Sequence, residues 1–362
     1  MATRSTDPHH YGVILAGGRG TRFWPRSRRR SAKQVLKVVG DRSLIQNTVD
    51  RLGDVIPPAR LWVLTNDYLR DEILRQLPEI PAAQILAEPV QRNTAPAIGL
   101  AAQILQSIDP DAVMGVFAAD HVIAKEGRYR QLVRRAFACA TAGQIVVLGI
   151  QPRWPETGYG YIEFPPGIQP GGKPAIIRRF REKPDERTAR RYLASGRFFW
   201  NSGMFFWRTS VLLDELRRSL PRTASILAAL PAFHDAGFML KLREAFPLCE
   251  NISIDYAVLE KAREVAGIAC PDIGWNDVGS WNAVYELLPH DANRNVIPQG
   301  ALCHRADGNY VDVSGKVVAL VGVSDLIVID TPDALLIAHR NQAQQVSEIV
   351  KMLEKQKRDD LL

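Results

Sequence analysis

Through its first 150 residues the chain alternates short apolar runs with longer segments of helical period: YGVILA then SLIQNTVDRL, LWVLT then DYLRDEILRQL, AIGLAAQILQSI then AVMGVFAAD, and RQLVRRAFACATA then QIVVLGI. Apolar runs of about five residues separated by helices are strands buried on both faces, and they pack as a parallel sheet between helical layers. The alternation therefore predicts an α/β fold built on a doubly wound, mostly parallel sheet. Ligands of such sheets sit beyond the carboxyl ends of the strands. ILAGG, FAAD and LGIQP are the segments that run out there.

After Pro152 the pattern changes to strand-like YGYIEF and AIIRRFRE, helical DERTARRYLAS and the aromatic strand RFFWNSGMFFW. Residues 152–207 read as an insertion lying over the sheet's mouth. Residues 209–265 are mostly helical in pattern, including SIDYAVLEKAREV with apolar positions near i, i+3, i+4 and i+7. From about Asn293 the composition becomes β-rich: NYVDVSG, KVVALVG, DLIVIDT and ALLIAHR are separated by Gly, Asp or Pro. Four such pieces can stack as a small β-solenoid of the left-handed β-helix kind, closed by the helical tail QAQQVSEIVKMLEKQKR. The expected division is a large α/β domain at 1–292 and a small module at 293–362. With no low-complexity linker between them, the module is expected to be docked.

The 362 residues are 46% hydrophobic and 23% charged, values of an ordinary globular protein, and the net charge is +7. The positive charge is local: Arg19 to Lys37 holds eight Lys or Arg and no acidic residue. An anionic partner follows. Nucleic acid is disfavoured, because no aromatics interleave the later arginines and no helix-turn-helix or finger spacing occurs. Cys139, Cys249, Cys270 and Cys303 form no CxxC pair, so neither a zinc site nor a disulfide framework is indicated. MATRSTDPHH carries no apolar signal core, and no run approaches the ~18 apolar residues of a membrane span. A cytoplasmic protein with no membrane partner is expected.

The first strand runs into ILAGGRGTRFWPRSRRRSAKQ. Glycines after a strand let successive N–H groups point at one anion, and the basic side chains add charge. A dinucleotide fingerprint GxGxxG fails at Phe23, and no GxxxxGK followed by Ser or Thr occurs. Pro25 and RSRRRS make a long loop before a helix that starts near Ser43. Arg28, Arg29 and Arg30 read as a solvated face that at most steers anions inward. LAGG alone is equally compatible with a glycine-rich turn.

LAGGRGTRFWPRS…KQ resembles the signature LAGGxGTRLxPxT…PK of the sugar-1-phosphate nucleotidyltransferases. EPVQRNTAPAIGLAA, FAADHVI, ETGYGYIE, REKPD, WNSGMFFW and GWNDVGSW resemble, in order, further motifs of that family, from residue 11 to about 340. RNTAPAI together with WNSGMFFW points to its guanylyltransferase branch. One position departs: Ala32 stands where the family usually has Pro before Lys33, which loosens the loop but leaves the ammonium. The resemblance implies transfer of GMP from GTP to mannose 1-phosphate, giving GDP-mannose and pyrophosphate, with Mg²⁺ as cofactor. The C-terminal module is expected to pack on the catalytic domain or join subunits, in a homodimer.

The resemblance also implies roles. Asp120 and Asp277 resemble the carboxylate pair that holds Mg²⁺, although a strand-end aspartate also caps helices and an aspartate in a Gly-rich loop also makes turns. Arg19 and Lys33 would meet the β- and γ-phosphates, with Gly17, Gly18, Gly20 and Thr21 as cradle; Arg22 either joins them or braces the loop. Glu88 would accept from guanine, while Arg92, Asn93 and Thr94 order the loop, the last two also as helix caps. Lys183 would meet the attacking phosphate. Glu182 would take hexose hydroxyls, and Asn201 with Gly158 and Tyr159 would complete the sugar site. His121 is expected to support the loop, and Phe198, Phe199, Phe205, Phe206 and Trp207 to be core. A different hexose phosphate or nucleotide remains open. A non-catalytic regulatory subunit would be expected to lose Lys33, Asp120 or Asp277, and an oxidoreductase is disfavoured by the failed GxGxxG.

Overall fold

The computed structural model describes residues 6–362. Its first half follows the predicted alternation: β1 (His10–Leu15), α1 (Leu44–Leu52), β2 (Leu61–Asn66), α2 (Asp67–Gln76), β3 (Ile85–Glu88), α3 (Thr94–Ile108), β4 (Val113–Ala118), the short β5 (Val122–Ile123), α4 (Glu126–Thr141) and β6 (Ile145–Ile150). β1 to β4 pair in parallel in the order β3-β2-β1-β4. Successive side chains point to opposite faces. Ile14 is therefore buried with Ile45, Leu69 and Phe137 of α1, α2 and α4, whereas Val13 is buried with Leu100 and Leu105 of α3. α1 starts at a capping box: Ser43 accepts from the Gln46 N–H while the Gln46 side chain accepts from the Ser43 N–H.

β7 (Tyr161–Glu163), β8 (Ala175–Ile176), β9 (Arg179–Arg181), α5 (Glu186–Ser195) and β10 (Phe198–Arg208) come next. Here the structure corrects the sequence reading. β10 does not lie over the mouth of the sheet but runs antiparallel through its middle, between β4 and β6. Its apolarity on both faces is the reason: Phe198, Phe199, Trp200 and Met204 to Trp207 are all buried, which only an interior strand allows. Its register with β6 shifts between Asn201 and Phe205, a bulge in the middle of the WNSGMFF motif.

α6 (Thr209–Ser219), α7 (Pro221–Ala228) and α8 (Phe238–Ala245) form the following helical region. SIDYAVLEKAREV, expected as one helix, gives only a π turn at Asp255–Leu259. Its last residue opens β11 (Val265–Ala269), parallel to β6, and a strand buried along its whole length ends the helical stretch. β12 (Trp275–Asn276) then pairs with β5, and α9 (Trp281–Leu287) follows.

The remaining chain carries β13 (Leu302–His304), β14 (Tyr310–Asp312), β15 (Ala319–Val321), β16 (Leu326–Thr331), β17 (Ala334–His339) and α10 (Val346–Lys355). β13 pairs in parallel with β15 and β14 with β16, Leu302 opposite Ala319 and Tyr310 opposite Ile327, so both pairs share a rung of 17 residues. Asn295 and Asn309, buried at 1% and 0% exposure, tie the rungs: Asn295 Oδ1 accepts from the Asn309 N–H, and Asn309 Oδ1 from the Leu326 N–H. The solenoid expected from four pieces is thus partly reassigned. β17 folds back antiparallel on β16, because the two residues Pro332 and Asp333 can join only antiparallel strands. Phe23 and Trp24 of the glycine loop share one buried cluster with Trp281 of α9, Tyr310 and Ile327 of the solenoid, and Val346 and Val350 of α10.

Candidate active site

The glycine loop is held by its carbonyl oxygens. Gln34 Nε2 donates to the oxygens of Ala16 at 2.6 Å and Gly18 at 3.0 Å, the amides of Asn66 and Gln91 donate to that of Gly17, and Ser27 Oγ donates to that of Arg19 at 2.9 Å. Among the described residues the N–H groups of Gly17, Gly18, Arg19 and Gly20 meet no backbone acceptor outside the helices and strands. Tied carbonyls beside free N–H groups make an anion cradle. Gly20 has φ 61°, and a Cβ there would come within 2.7 Å of Lys33 Cβ, so glycine is required. Thr21 begins the turn Thr21–Phe23 that leads into the buried cluster.

Glu88 ends β3 beside this cradle, its Oε1 3.7 Å from where a Gly17 Cβ would stand. Burial pushes its carboxyl up to about 8. A base donating two hydrogen bonds is the kind of partner that ionises it. Asn93, at φ 64°, accepts from the Thr94 N–H at 2.9 Å, Thr94 Oγ1 accepts from the Ile254 N–H at 2.9 Å, and Arg92 donates to the Pro247 carbonyl. All three order the start of α3.

The two aspartates meet at Lys33. Asp120 follows β4 at the carboxyl edge of the sheet, and the β5–β12 ladder sets Asn276 opposite Val122, which carries Asp277 to the same place. Lys33 Nζ donates to Asp120 Oδ2 at 2.8 Å and to the Asp277 carbonyl at 2.6 Å, and the lysine is only 6% exposed. Burial raises the carboxyl of Asp120, but the Lys33 ammonium, His121 and a backbone hydrogen bond together outweigh it and hold the group below its ordinary range. Tyr159 OH donates to Asp277 Oδ1 at 2.5 Å, with its ring edge-on to Trp200 and Trp275. Tyr159, expected beside the sugar, thus sits on the carboxylate, and Lys33, expected at the phosphates, sits between the two aspartates. His121 faces the Trp275 indole N–H across 3.3 Å, and burial lowers its pKa, so it is a neutral acceptor supporting the loop. No group of three His, Cys, Asp or Glu placed to hold a metal occurs among the described residues, so a divalent cation at the Asp120 and Asp277 carboxylates would have to complete its shell from phosphates and water.

Glu182, Lys183 and Asn201 form a third cluster. Glu182 is 9% exposed; its Oε1 accepts from Lys183 Nζ at 2.8 Å, and its Oε2 is buried without a partner. A Cβ on Gly160 would collide with that oxygen. Asn201, at the β10 bulge, donates to Asp255 Oδ1 at 2.9 Å. Burial, with Glu182 nearby, pushes Asp255 up to about 6. Gly158 donates its N–H to Glu156 Oε1 at 2.9 Å. A cleft of about 1270 Å³ runs past Gly158, Tyr159, Asp277 and the exposed Arg22, while Glu88 and Glu182 lie outside its lining.

The basic run has another destination. Arg26 pairs with Asp312 at 2.6 Å, Arg28 with Asp333 at 3.0 Å and Arg29 with Asp359 at 2.9 Å. Expected to be solvated, Arg28 and Arg29 instead clamp the C-terminal module, whose acidic residues supply the charge they lack nearby; Arg30 is exposed. Arg19 pairs with Glu354 of α10 at 2.5 Å. Trp24 Nε1 donates to the Leu361 carbonyl at 3.0 Å.

A sheet carrying a glycine loop at its carboxyl edge, with the carboxylate of Asp120 and the backbone of Asp277 converging on the loop's lysine, defines a phosphate-handling transferase. The family described as Nucleotidyl transferase matches residues 11–294, and that described as MannoseP isomerase/GMP-like beta-helix domain matches residues 305–353. The chain is 40% identical to a mannose-1-phosphate guanylyltransferase of Escherichia coli K12 over 354 residues, 95% of this chain and 73% of that one. It is 41% identical over 356 residues to mannose-1-phosphate guanylyltransferase ManC of Salmonella typhimurium, with the same shares covered. The solved structure of a mannose-1-phosphate geranyltransferase from Thermus thermophilus superposes with a TM-score of 0.83 at 31% identity, covering 96% of this chain and 99% of that one. The chain belongs to the mannose-1-phosphate guanylyltransferase family.

Sequence reasoning missed Gln34, Asn66 and Gln91, which tie the loop carbonyls, and Asp255, which holds Asn201. Gln34 directly follows the signature lysine, a visible signal. The others come from separate elements and carry none.

Proposed function

We propose that the chain transfers GMP from GTP to α-D-mannose 1-phosphate, giving GDP-mannose and pyrophosphate. The carrying observation is Lys33, whose one ammonium touches both Asp120 and the backbone of Asp277, so that the glycine loop, β4 and the GWNDVGSW segment converge on one point. The attacking phosphate is already an anion, since the second pKa of a phosphomonoester is about 6. No general base is needed. A mannose 1-phosphate oxygen attacks the α-phosphorus in line, the bond to the bridging oxygen of the β-phosphate breaks, and pyrophosphate leaves with the electron pair.

In this reading the N–H groups of Gly17 to Gly20 receive the triphosphate, and Arg19 turns to it from Glu354. Ionised Glu88 accepts from guanine N1–H and the amino group, and adenine would leave that buried charge unpaired. Glu182 Oε2 accepts a mannose hydroxyl, Lys183 meets the attacking phosphate, and Asn201 fixes the ring. Asp120 and Asp277 would hold Mg²⁺, which neutralises charge on the phosphates when bound. A homodimer is the assembly we propose, and the unpaired cysteines suit a reducing cytoplasm. No helix is long and apolar enough to cross a membrane among the described residues.

The test is pyrophosphate release with four nucleoside triphosphates against mannose, glucose and N-acetylglucosamine 1-phosphates, with and without Mg²⁺. GTP with mannose 1-phosphate should turn over fastest. Preference for ATP or UTP, or no turnover with any pair, rejects the reading.

A further inference from the structure

Behind the carboxylate pair lies a buried cation to which the reaction gives no direct task. Arg51, on the inward face of α1, is 3% exposed. Its Nη2 donates to Thr48 Oγ1 at 2.5 Å and to the His121 carbonyl at 2.8 Å, while its Nε is buried without a partner. Neither acceptor is a carboxylate. Thr48, itself 0% exposed, has its Oγ1 3.0 Å from the Leu44 carbonyl of its own helix and 3.3 Å from the Ala119 carbonyl, which share its one proton. One turn of α1 therefore holds the carbonyl after Asp120 through Arg51 and sets the Thr48 hydroxyl against the carbonyl before it. The grip is anchored in turn by α4, whose Arg130 Nε donates to the Arg51 carbonyl at 3.0 Å.

A buried guanidinium without a counter-ion is costly, and an apolar side chain of similar volume is often the more stable choice. Stability alone gives no reason for an arginine here. A rigid hold on the backbone around a metal-ligating carboxylate does, because partners behind the ligands set their orientation. We propose that Arg51 is a positioning residue for Asp120, acting through the His121 carbonyl to fix the direction in which the carboxylate meets its cation. The inference rests on the reading of Asp120 as a metal ligand.

Mn²⁺ binding, followed by the loss of the free-ion paramagnetic resonance signal, tests it on the full chain, with thermal melting as the control for folding. Arg51→Met should raise the half-saturating Mn²⁺ concentration about tenfold or more while the protein still melts cooperatively. Arg51→Lys, which keeps a donor to the carbonyl, should recover part of the affinity. Wild-type Mn²⁺ affinity in a folded Arg51→Met protein overturns the proposal. Should Arg51→Met fail to fold, Thr48→Val takes its place: a smaller rise in the same direction supports the grip, and no change overturns it. Asp120→Asn separates the two ideas. If that variant binds Mn²⁺ like wild type, the metal reading of Asp120 itself is what has failed.

Discussion

Residues 16–20 and 26–29 belong to one loop and lie within a few residues of each other, yet they use opposite resources. The first part commits its carbonyls to Gln34, Asn66, Gln91 and Ser27 and presents bare N–H groups. The second commits three guanidinium groups to Asp312, Asp333 and Asp359 of the C-terminal module. The bare N–H groups that we propose for anion capture lie in the part with little side-chain charge, and the densest charge serves as internal mortar. A cluster of like charges in a sequence thus says nothing about its partner until the opposite charges, here some 300 residues away, are placed.

The largest test of this division is chemical. Asp120→Asn and Asp277→Asn should each lower kcat on the order of 10²–10³-fold in protein that still melts cooperatively, Asp120→Asn at a lower temperature because buried Lys33 loses its carboxylate, whereas Arg28→Ala should leave kcat unchanged. Loss of kcat in Arg28→Ala would show that the clamp and the cradle are not separable. Arg19 stands on the border between them. Arg19→Ala should raise KM for GTP about tenfold or more, and Glu354→Gln, which frees Arg19 from α10, should lower it. An unchanged KM in both places Arg19 with the clamp.

Glu88 gives the comparison a pH axis. Its folded pKa of about 8 lies above the ordinary 4.5, so the fold favours the protonated form, and its contribution to stability is present below pH 4.5 and lost as pH rises toward 8. Relative to Glu88→Gln, wild type should lose melting temperature across that window; parallel profiles would show that the buried carboxyl does not set the pH dependence. GTP, drawing on the ionised form, should bind wild type more tightly as pH rises over the same range. The clamp effects are smaller. Arg28→Ala should cost about 1 kcal/mol or less in denaturant unfolding, and a double-mutant cycle with Asp333→Ala should return a coupling of ~0.2–1 kcal/mol. Smallest is Ala32→Pro: Ala32 already has φ −72°, inside the range a proline ring imposes, so the substitution should stabilise by ~0.4–1 kcal/mol.

That φ value also answers a question the sequence raised, since the missing proline leaves the loop before Lys33 in the shape a proline would hold. Local rules carried the first half well. Period and apolarity gave the strands and helices up to β6, and the signature motifs gave Asp120 and Asp277 as a pair, with Lys33 expected at the phosphates rather than between them. What they could not give was spatial order. β10 read correctly as a strand, but insertion between β4 and β6 depends on burial of both its faces, which local pattern leaves ambiguous between a cover and a core. Tyr159 shows the same limit. Its motif gave no sign that its hydroxyl meets Asp277, 118 residues further on. The rung of 17 residues was within reach of the spacing, but the fold-back of β17 turned on a two-residue connection.

The bond from the Trp24 indole to the Leu361 carbonyl spans 337 positions. On a ribosome adding roughly 5–20 residues per second, that span takes on the order of 20–70 s to synthesise. β1 and β2 can pair early in that interval. The loop between them stays without its floor until α10 and the residues after it have emerged. In a growing chain the contacts beneath the glycine loop are therefore the last to form, after most of the sheet already exists.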